Sequence, residues 1–214
     1  MVDKLSAEQV RTMFLAVADR VISAKEALCD ADRNIGDGDH GIGMANGFVA
    51  AKKELENNQF DDVYTVFSTV GRTMIRVMGG ASGIIFGLLF FAGAKNKSPQ
   101  PELTTSEFTE IFSSALAEIQ AKGKAEPGDK TLVDALVPAV DNMKKCVERG
   151  VGFKGLLADA LKGAEEGKEA SKNYIAKFGK AKTLGERAIG YPDAGCVTLT
   201  VIFSAMNDWA ESNL

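Results

Sequence analysis

Apolar residues recur along most of this chain in alternating steps of four and three. Val10, Phe14, Val17, Val21, Ala24 and Leu28 form one such stripe, and Val63, Phe67, Val70, Met74 and Val77 form another. This spacing gathers the apolar side chains on one face of a 3.6-residue helix. A third stripe, Phe108, Ile111, Phe112, Ala115 and Ile119, follows Thr104 and Glu107, the pair expected of a capping box. A fourth runs through Leu132, Leu136, Val140, Met143 and Val147 with Pro138 inside it, which predicts a kink. Leu157, Leu161 and Ala164 mark a fifth, and residues 195–206 read as a nearly all-apolar final helix.

These patterns predict about eight helices, near residues 6–29, 42–57, 61–77, 83–94, 105–121, 130–148, 154–176 and 196–211. The β-branched residues sit inside helical stripes, and no run alternates with period two. The expectation is an all-α bundle or barrel of antiparallel amphipathic helices forming a single domain over residues 1–214, with no internal repeat.

The glycine-rich pieces fall in connections, at 36–43, 79–83, 123–129 and 190–195. In an up-and-down bundle, the loops after the first, third, fifth and seventh helices share one end, and these four segments are those loops. Convergence of four glycine-marked loops is what a ligand site requires.

Composition narrows the partners. The 214 residues carry a net charge of −4, with no Lys/Arg-rich tract interleaved with aromatics, so nucleic acid is not expected. Cys29, Cys146 and Cys196 are scattered and odd in number, which suits reduced thiols in a cytoplasmic protein. The N-terminal stretch has no signal-peptide core. The uncharged run 77–94 is interrupted by Gly79, Gly80, Gly83 and Gly87, and its apolar half is too short to span a bilayer.

The candidate chemistry centres on residues 32–43. Asp32, Asp37 and Asp39 lie within eight positions, and the last two are interleaved with glycine. Carboxylates this close repel, so one takes a proton or a cation sits among them. An all-oxygen donor set selects Mg²⁺ or Ca²⁺, and the glycines let backbone N–H groups approach phosphate. The alternative is a solvated loop whose aspartates cap the next helix. An EF-hand is excluded because its twelfth position would be Gly41, where a bidentate Glu is needed. Ser82 either caps the helix that follows it or, with the N–H groups there, forms an anion site. Residues 123–131 approach a P-loop, but Asp129 precedes Lys130 and no strand leads in, so that reading fails. His40, the only histidine, is either structural or in contact with phosphate or a carboxylate; Arg76, Lys180 and Arg187 are candidate phosphate partners or surface residues.

Together these segments resemble the nucleotide-binding L subunits (DhaL) of dihydroxyacetone kinases. The motifs that carry the likeness are Asp32 with Gly36, Asp37, Gly38, Asp39, His40 and Gly41; residues 79–83; residues 123–131; and residues 185–190 with Asp193, Ala194 and Gly195. They span nearly the whole chain in the family's order. The resemblance implies an α-barrel of eight helices with the nucleotide at one end. It implies that Asp32, Asp37 and Asp39 hold a pair of Mg²⁺ ions, and that His40, Gly41, Ile42 and Gly43, with Ala81 and Ser82, line the phosphates. Gly123, Leu132, Lys180, Asp193, Ala194 and Gly195 would line the rest of the nucleotide.

The resemblance further implies phosphoryl transfer from ADP/ATP–Mg²⁺ to dihydroxyacetone held on a separate K-type subunit. In one scheme ADP is a resident cofactor, rephosphorylated by a phosphohistidine protein of the phosphotransferase system, the M subunit. In another, ATP is consumed by a two-chain ketose kinase. A reading from another class is a nucleotide-occupied regulatory module. Two departures stand near the nucleotide region: Lys180 where the family often has arginine, and Tyr191-Pro192-Asp193-Ala194-Gly195 where a His-x-Asp-Pro-Gly pattern is frequent.

Overall fold

In the computed structural model, which describes residues 2–214, the described residues form nine α-helices, one 3-10 segment and a two-stranded ribbon. The helices are α1 (Ala7–Ser23), α2 (Lys25–Arg33), α3 (His40–Asn57), α4 (Val63–Met78), α5 (Gly80–Phe91), α6 (Thr105–Gly123), α7 (Val133–Glu148), α8 (Phe153–Ser171) and α9 (Ala194–Asn213). Eight of them close a ring: α1 packs on α3, each helix from α3 to α9 packs on the next, and α9 returns to α1. The ninth, α2, lies outside the ring against α3 and α9. The observed architecture is therefore all-α, as the stripes predict, and closed into the barrel that the family resemblance implies.

The stripes fill the barrel. Phe14 meets Phe67 and Phe90 edge to face at 4.7 and 5.3 Å. Phe67 continues to Phe108 and Phe112, Phe108 to Phe153, and Phe112 to Phe203. One hydrophobic cluster runs from Leu5 to Ala210. Each fully buried phenylalanine contributes on the order of 2–3 kcal/mol, so stability resides in this interior. No helix among the described residues is long and apolar enough to cross a membrane.

Three features depart from the sequence expectation. The stripe near 6–29 is two helices, because Ala24 leaves the helical region (φ −81°, ψ 1°). The break turns α2 onto α3, where the Lys25 carbonyl lies so close to Gly41 that a Cβ there would collide with it. The helix expected to 176 ends at Ser171, and Lys180–Ala188 forms a 3-10 segment that the periodicity does not announce. Third, β1 (Lys4–Ser6) pairs antiparallel with β2 (Glu102–Thr104), Leu5 opposite Leu103. Three residues are too few for a period of two to register. The strands lead into two capping boxes, Ser6 with Gln9 and the expected Thr104 with Glu107, which start α1 and α6.

Pro138 sits inside α7, which continues through it. Proline offers no N–H to the carbonyl of Asp134, and that carbonyl faces α8 at Gly167, where any Cβ would collide with it.

Candidate active site

Local chemistry shapes the loop between α2 and α3. Asp32, in the last turn of α2, accepts Ile35 N–H at 3.0 Å and Gly36 N–H at 2.5 Å on its carbonyl, which folds the chain back. Ile35 is buried and anchors the turn. Gly38 then takes φ +78°, a left-handed conformation that glycine adopts freely. Its N–H and that of His40 donate to Asp32 Oδ2 at 2.9 and 3.3 Å. Asp32 is thus oriented by the backbone. Asp37 and Asp39 have no such support and are exposed.

Asp39 occupies the N-cap of α3, yet its carboxylate makes no capping bond. Ligand oxygens of Asp32, Asp37 and Asp39 all lie within 4.8 Å of one another. The capping alternative therefore does not describe Asp39: its side chain serves the cluster. Lys180, the first residue of the 3-10 segment, pairs with Asp37, and its Nζ lies 3.6 Å from Asp39 Oδ2. The hydrogen bond from Lys180 holds the Asp37 carboxyl below its ordinary pKa, and the same contact raises the lysine. An ammonium thus stands against the two exposed carboxylates of the cluster. Three clustered oxygen donors with a surplus of negative charge fit a hard divalent ion.

Beside the aspartates opens a cleft of about 830 Å³, within the range of small-molecule sites. All four glycine-bearing segments reach it. Gly79 and Gly80 both adopt left-handed φ (64° and 59°), turning sharply from α4 into α5. No side chain caps α5, and Gly80, Ala81 and Ser82 are exposed, so its first-turn N–H groups face incoming ligand. Ile85, Phe86, Ile119, Leu132 and Val133 give the cleft an apolar wall.

Of the residues singled out from the sequence, Asp32, Asp37, Asp39, His40, Ile42, Gly43, Ala81, Ser82, Gly123, Leu132, Lys180, Asp193, Ala194 and Gly195 line the cleft. Gly41 does not; it faces α2, where it admits the Lys25 carbonyl and Cys29. Burial lowers the pKa of His40, and its Nε2 lies 2.7 Å from Thr198 Oγ1 on α9. Its imidazole is thus neutral at pH 7 and tied to the barrel wall. Arg76 pairs with Glu54, and Arg187 turns back to its own segment at the Leu184 carbonyl. Of the three basic candidates, Lys180 alone reaches the cleft.

Lys130 belongs to the site in a way its sequence context did not disclose. It takes φ +58° and is 1% exposed. Its Nζ donates to the carbonyls of Ser171 and Tyr191, each at 2.6 Å. It thereby ties the end of α8 to the segment carrying Asp193. Asp193 caps α9 by accepting Cys196 N–H at 2.9 Å, and burial pushes its carboxyl up to about 6. Gly195 packs close to Leu132; a Cβ there would sit 3.3 Å from that side chain.

The chain matches known proteins over most of its length. Residues 34–208 match the model of the DAK2 domain. The chain is 32% identical over 195 residues to the PEP-dependent dihydroxyacetone kinase, ADP-binding subunit DhaL, of Escherichia coli strain K12, covering 91% of this chain and 93% of that one. It is 34% identical over 189 residues to the corresponding subunit of kinase 1 from Listeria innocua, covering 88% and 89%. The fold is similar to that of the C. freundii dihydroxyacetone kinase solved with AMP-PNP and Mg²⁺: TM-score 0.72 at 23% identity, over 97% of this chain and 35% of that longer one.

Proposed function

Since the chain belongs to the DAK2 domain family, we propose that it is the nucleotide-carrying subunit of a dihydroxyacetone kinase, passing a phosphoryl group to dihydroxyacetone held by a K-type partner. It acts as one nucleotide-binding domain over residues 1–214, in the cytoplasm. The observation that carries this reading is the conjunction of three clustered carboxylates, an uncapped helix start and an apolar wall around one cleft.

Asp32, Asp37 and Asp39 would hold a pair of Mg²⁺ ions, which would supply positive charge to offset that of the nucleotide phosphates during transfer. Gly38 and His40 N–H groups fix the Asp32 carboxylate, so one member of the donor set is oriented before ligand arrives. The first turn of α5, at Ala81 and Ser82, presents N–H groups and its helix dipole to the phosphates, while His40, Ile42 and Gly43, whose N–H groups turn back to Asp32 and to the Asp39 carbonyl, line the same end of the cleft. Leu132 and Gly195 flank the nucleoside, with Gly123, Ala194 and Asp193 completing the pocket. Lys130 positions that wall from behind. His40, neutral and engaged with Thr198, contributes its backbone N–H and its packing rather than a proton.

ADP is the resident cofactor, rephosphorylated in place by an M-type phosphohistidine protein. The test is reconstitution of the full chain with a K-type subunit and dihydroxyacetone. Transfer from phosphoenolpyruvate through the phosphotransferase proteins, with substoichiometric ADP, supports this reading. Transfer only with stoichiometric ATP would assign the chain to an ATP-consuming ketose kinase. Absence of transfer with every donor, with nucleotide still bound, would leave a regulatory module.

A further inference from the structure

The aspartate cluster does not stand unopposed. Asp32 is satisfied by two backbone N–H groups, and the two carboxylates that lack them are those spanned by Lys180. The lysine is carried on the 3-10 segment Lys180–Ala188, entered through Gly179 at φ +64° with no atom within 4 Å of where its Cβ would be. That segment packs through Ala181, Leu184 and Ala188 onto Ile35 of the aspartate loop, in a small cluster separate from the barrel core. Lysine and aspartates are thereby held in register by contacts of their own. The Lys180 side chain is 62% exposed, so the ammonium can leave the carboxylates for water without a desolvation barrier. A lysine suits this exchange: it is a compact, strongly hydrated charge on a flexible stem, without the bidentate grip of a guanidinium.

We infer that Lys180 is a tethered counter-ion of the cation site: it neutralises Asp37 and Asp39 in the cation-free protein, and a divalent ion binds by displacing it. The inference rests on the reading of Asp32, Asp37 and Asp39 as the cation ligands. Its consequence is selectivity for the metal–nucleotide complex over free metal. A cation arriving alone competes with the ammonium. A cation arriving with a nucleotide brings phosphates that give the displaced lysine a new partner. Cation and nucleotide affinities are then coupled through one side chain, and reciprocally so.

The test is Mn²⁺ binding to the full chain freed of nucleotide and metal by EDTA dialysis, followed by electron paramagnetic resonance of free Mn²⁺ at low ionic strength. Wild type, Lys180→Met, Lys180→Arg and Asp37→Asn are compared with and without ADP, after circular dichroism has established that each is folded. Without ADP, Lys180→Met is expected to bind Mn²⁺ about tenfold more tightly than wild type, the scale of a charge removed at about 4 Å from a site screened almost as in water. Lys180→Arg, which keeps the charge, stays within about threefold of wild type. With ADP, the gain of Lys180→Met disappears or reverses. Unchanged or weaker Mn²⁺ binding by Lys180→Met without ADP, while Asp37→Asn loses binding, would overturn the inference and leave the cation site standing. Wild-type Mn²⁺ binding by Asp37→Asn would overturn the site and the inference together.

Discussion

Residues 36–40 and 127–131 read alike, each interleaving glycine with aspartate, yet they fold into opposites. In the second loop backbone N–H groups reach every carboxylate. Asp129 accepts the Glu126 N–H at 2.8 Å, and Lys177 Nζ lies 2.5 Å from its other oxygen. Asp134 accepts the N–H groups of Gly128 and Thr131 at 2.5 and 2.7 Å. Lys130 points inward to two carbonyls. In the first loop, the backbone answers Asp32 only, and Asp37 and Asp39 stand in solvent with one exposed lysine. Composition therefore does not distinguish a ligand loop from a structural one. What distinguishes them is whether backbone N–H groups account for the carboxylates: they reach Asp129 and Asp134 but neither Asp37 nor Asp39. The closed loop builds a wall, and the open one has charge left for a ligand.

Substitution should separate the two. The largest effect is expected at Asp37→Asn: Mg²⁺-dependent ADP affinity should fall at least about 100-fold, above the usual loss for a residue that only supports a metal ligand. The melting temperature of the nucleotide-free protein should barely move, because an exposed ion pair contributes about 0–1 kcal/mol. Calorimetric titration with ADP and a thermal scan of the ligand-free protein check the two halves. An equal drop in apo stability would mean that the open loop is structural after all.

Asp134→Ala should do the reverse. It strands two backbone N–H groups at a buried carboxylate and should cost about 2–3 kcal/mol in urea unfolding. Unaltered stability there would dissolve the contrast between the loops.

Asp193, beside Lys130, should appear in the pH dependence. Its carboxyl, raised by burial from an ordinary 3.8 to about 6, keeps its proton longer in the folded state. Folding stability therefore falls as pH rises from about 4 through about 6, and the loss is complete above that window. Asp193→Asn cannot titrate, so its stability relative to wild type should rise by about 2 kcal/mol between about pH 4 and pH 7. A constant difference between the two proteins across that range would remove the buried-carboxyl account.

The smallest effect divides the glycines. Gly41→Ala should destabilise by about 1–2 kcal/mol, because its Cβ meets the Lys25 carbonyl and Cys29. Gly43→Ala, with only the end of Met78 at 3.9 Å, should leave unfolding unchanged. Paired urea melts decide it, and equal losses would mean that α2 does not pack as described.

The barrel was legible because its helices are long and bury one face: Phe67, Val70 and Met74 on α4, or Phe108, Ile111 and Phe112 on α6, declare themselves by spacing. The break at Ala24 was not, since both halves of the stripe keep the same rhythm and the kink arises from packing against Gly41. The 3-10 segment was not, since it is held by two alanines and a leucine on Ile35, a set too sparse for any periodicity. The same limit governs the site. The interleaving of aspartate and glycine marked residues 32–43, and the four glycine-bearing segments do share one cleft. No pattern announced that Lys130 turns inward while Lys180 crosses 143 positions of sequence to reach Asp37. Both are lysines within two positions of a glycine, and the fold alone assigns them.

The central claim is that the open loop holds cations with the nucleotide. Native mass spectrometry of the full chain with ADP and Mg²⁺, wild type against Asp37→Asn, tests it most directly. The account predicts a wild-type complex of ADP with a pair of Mg²⁺ ions, and a folded Asp37→Asn chain carrying neither at the same concentrations. Equal retention of Mg²⁺ and ADP by both proteins would contradict it.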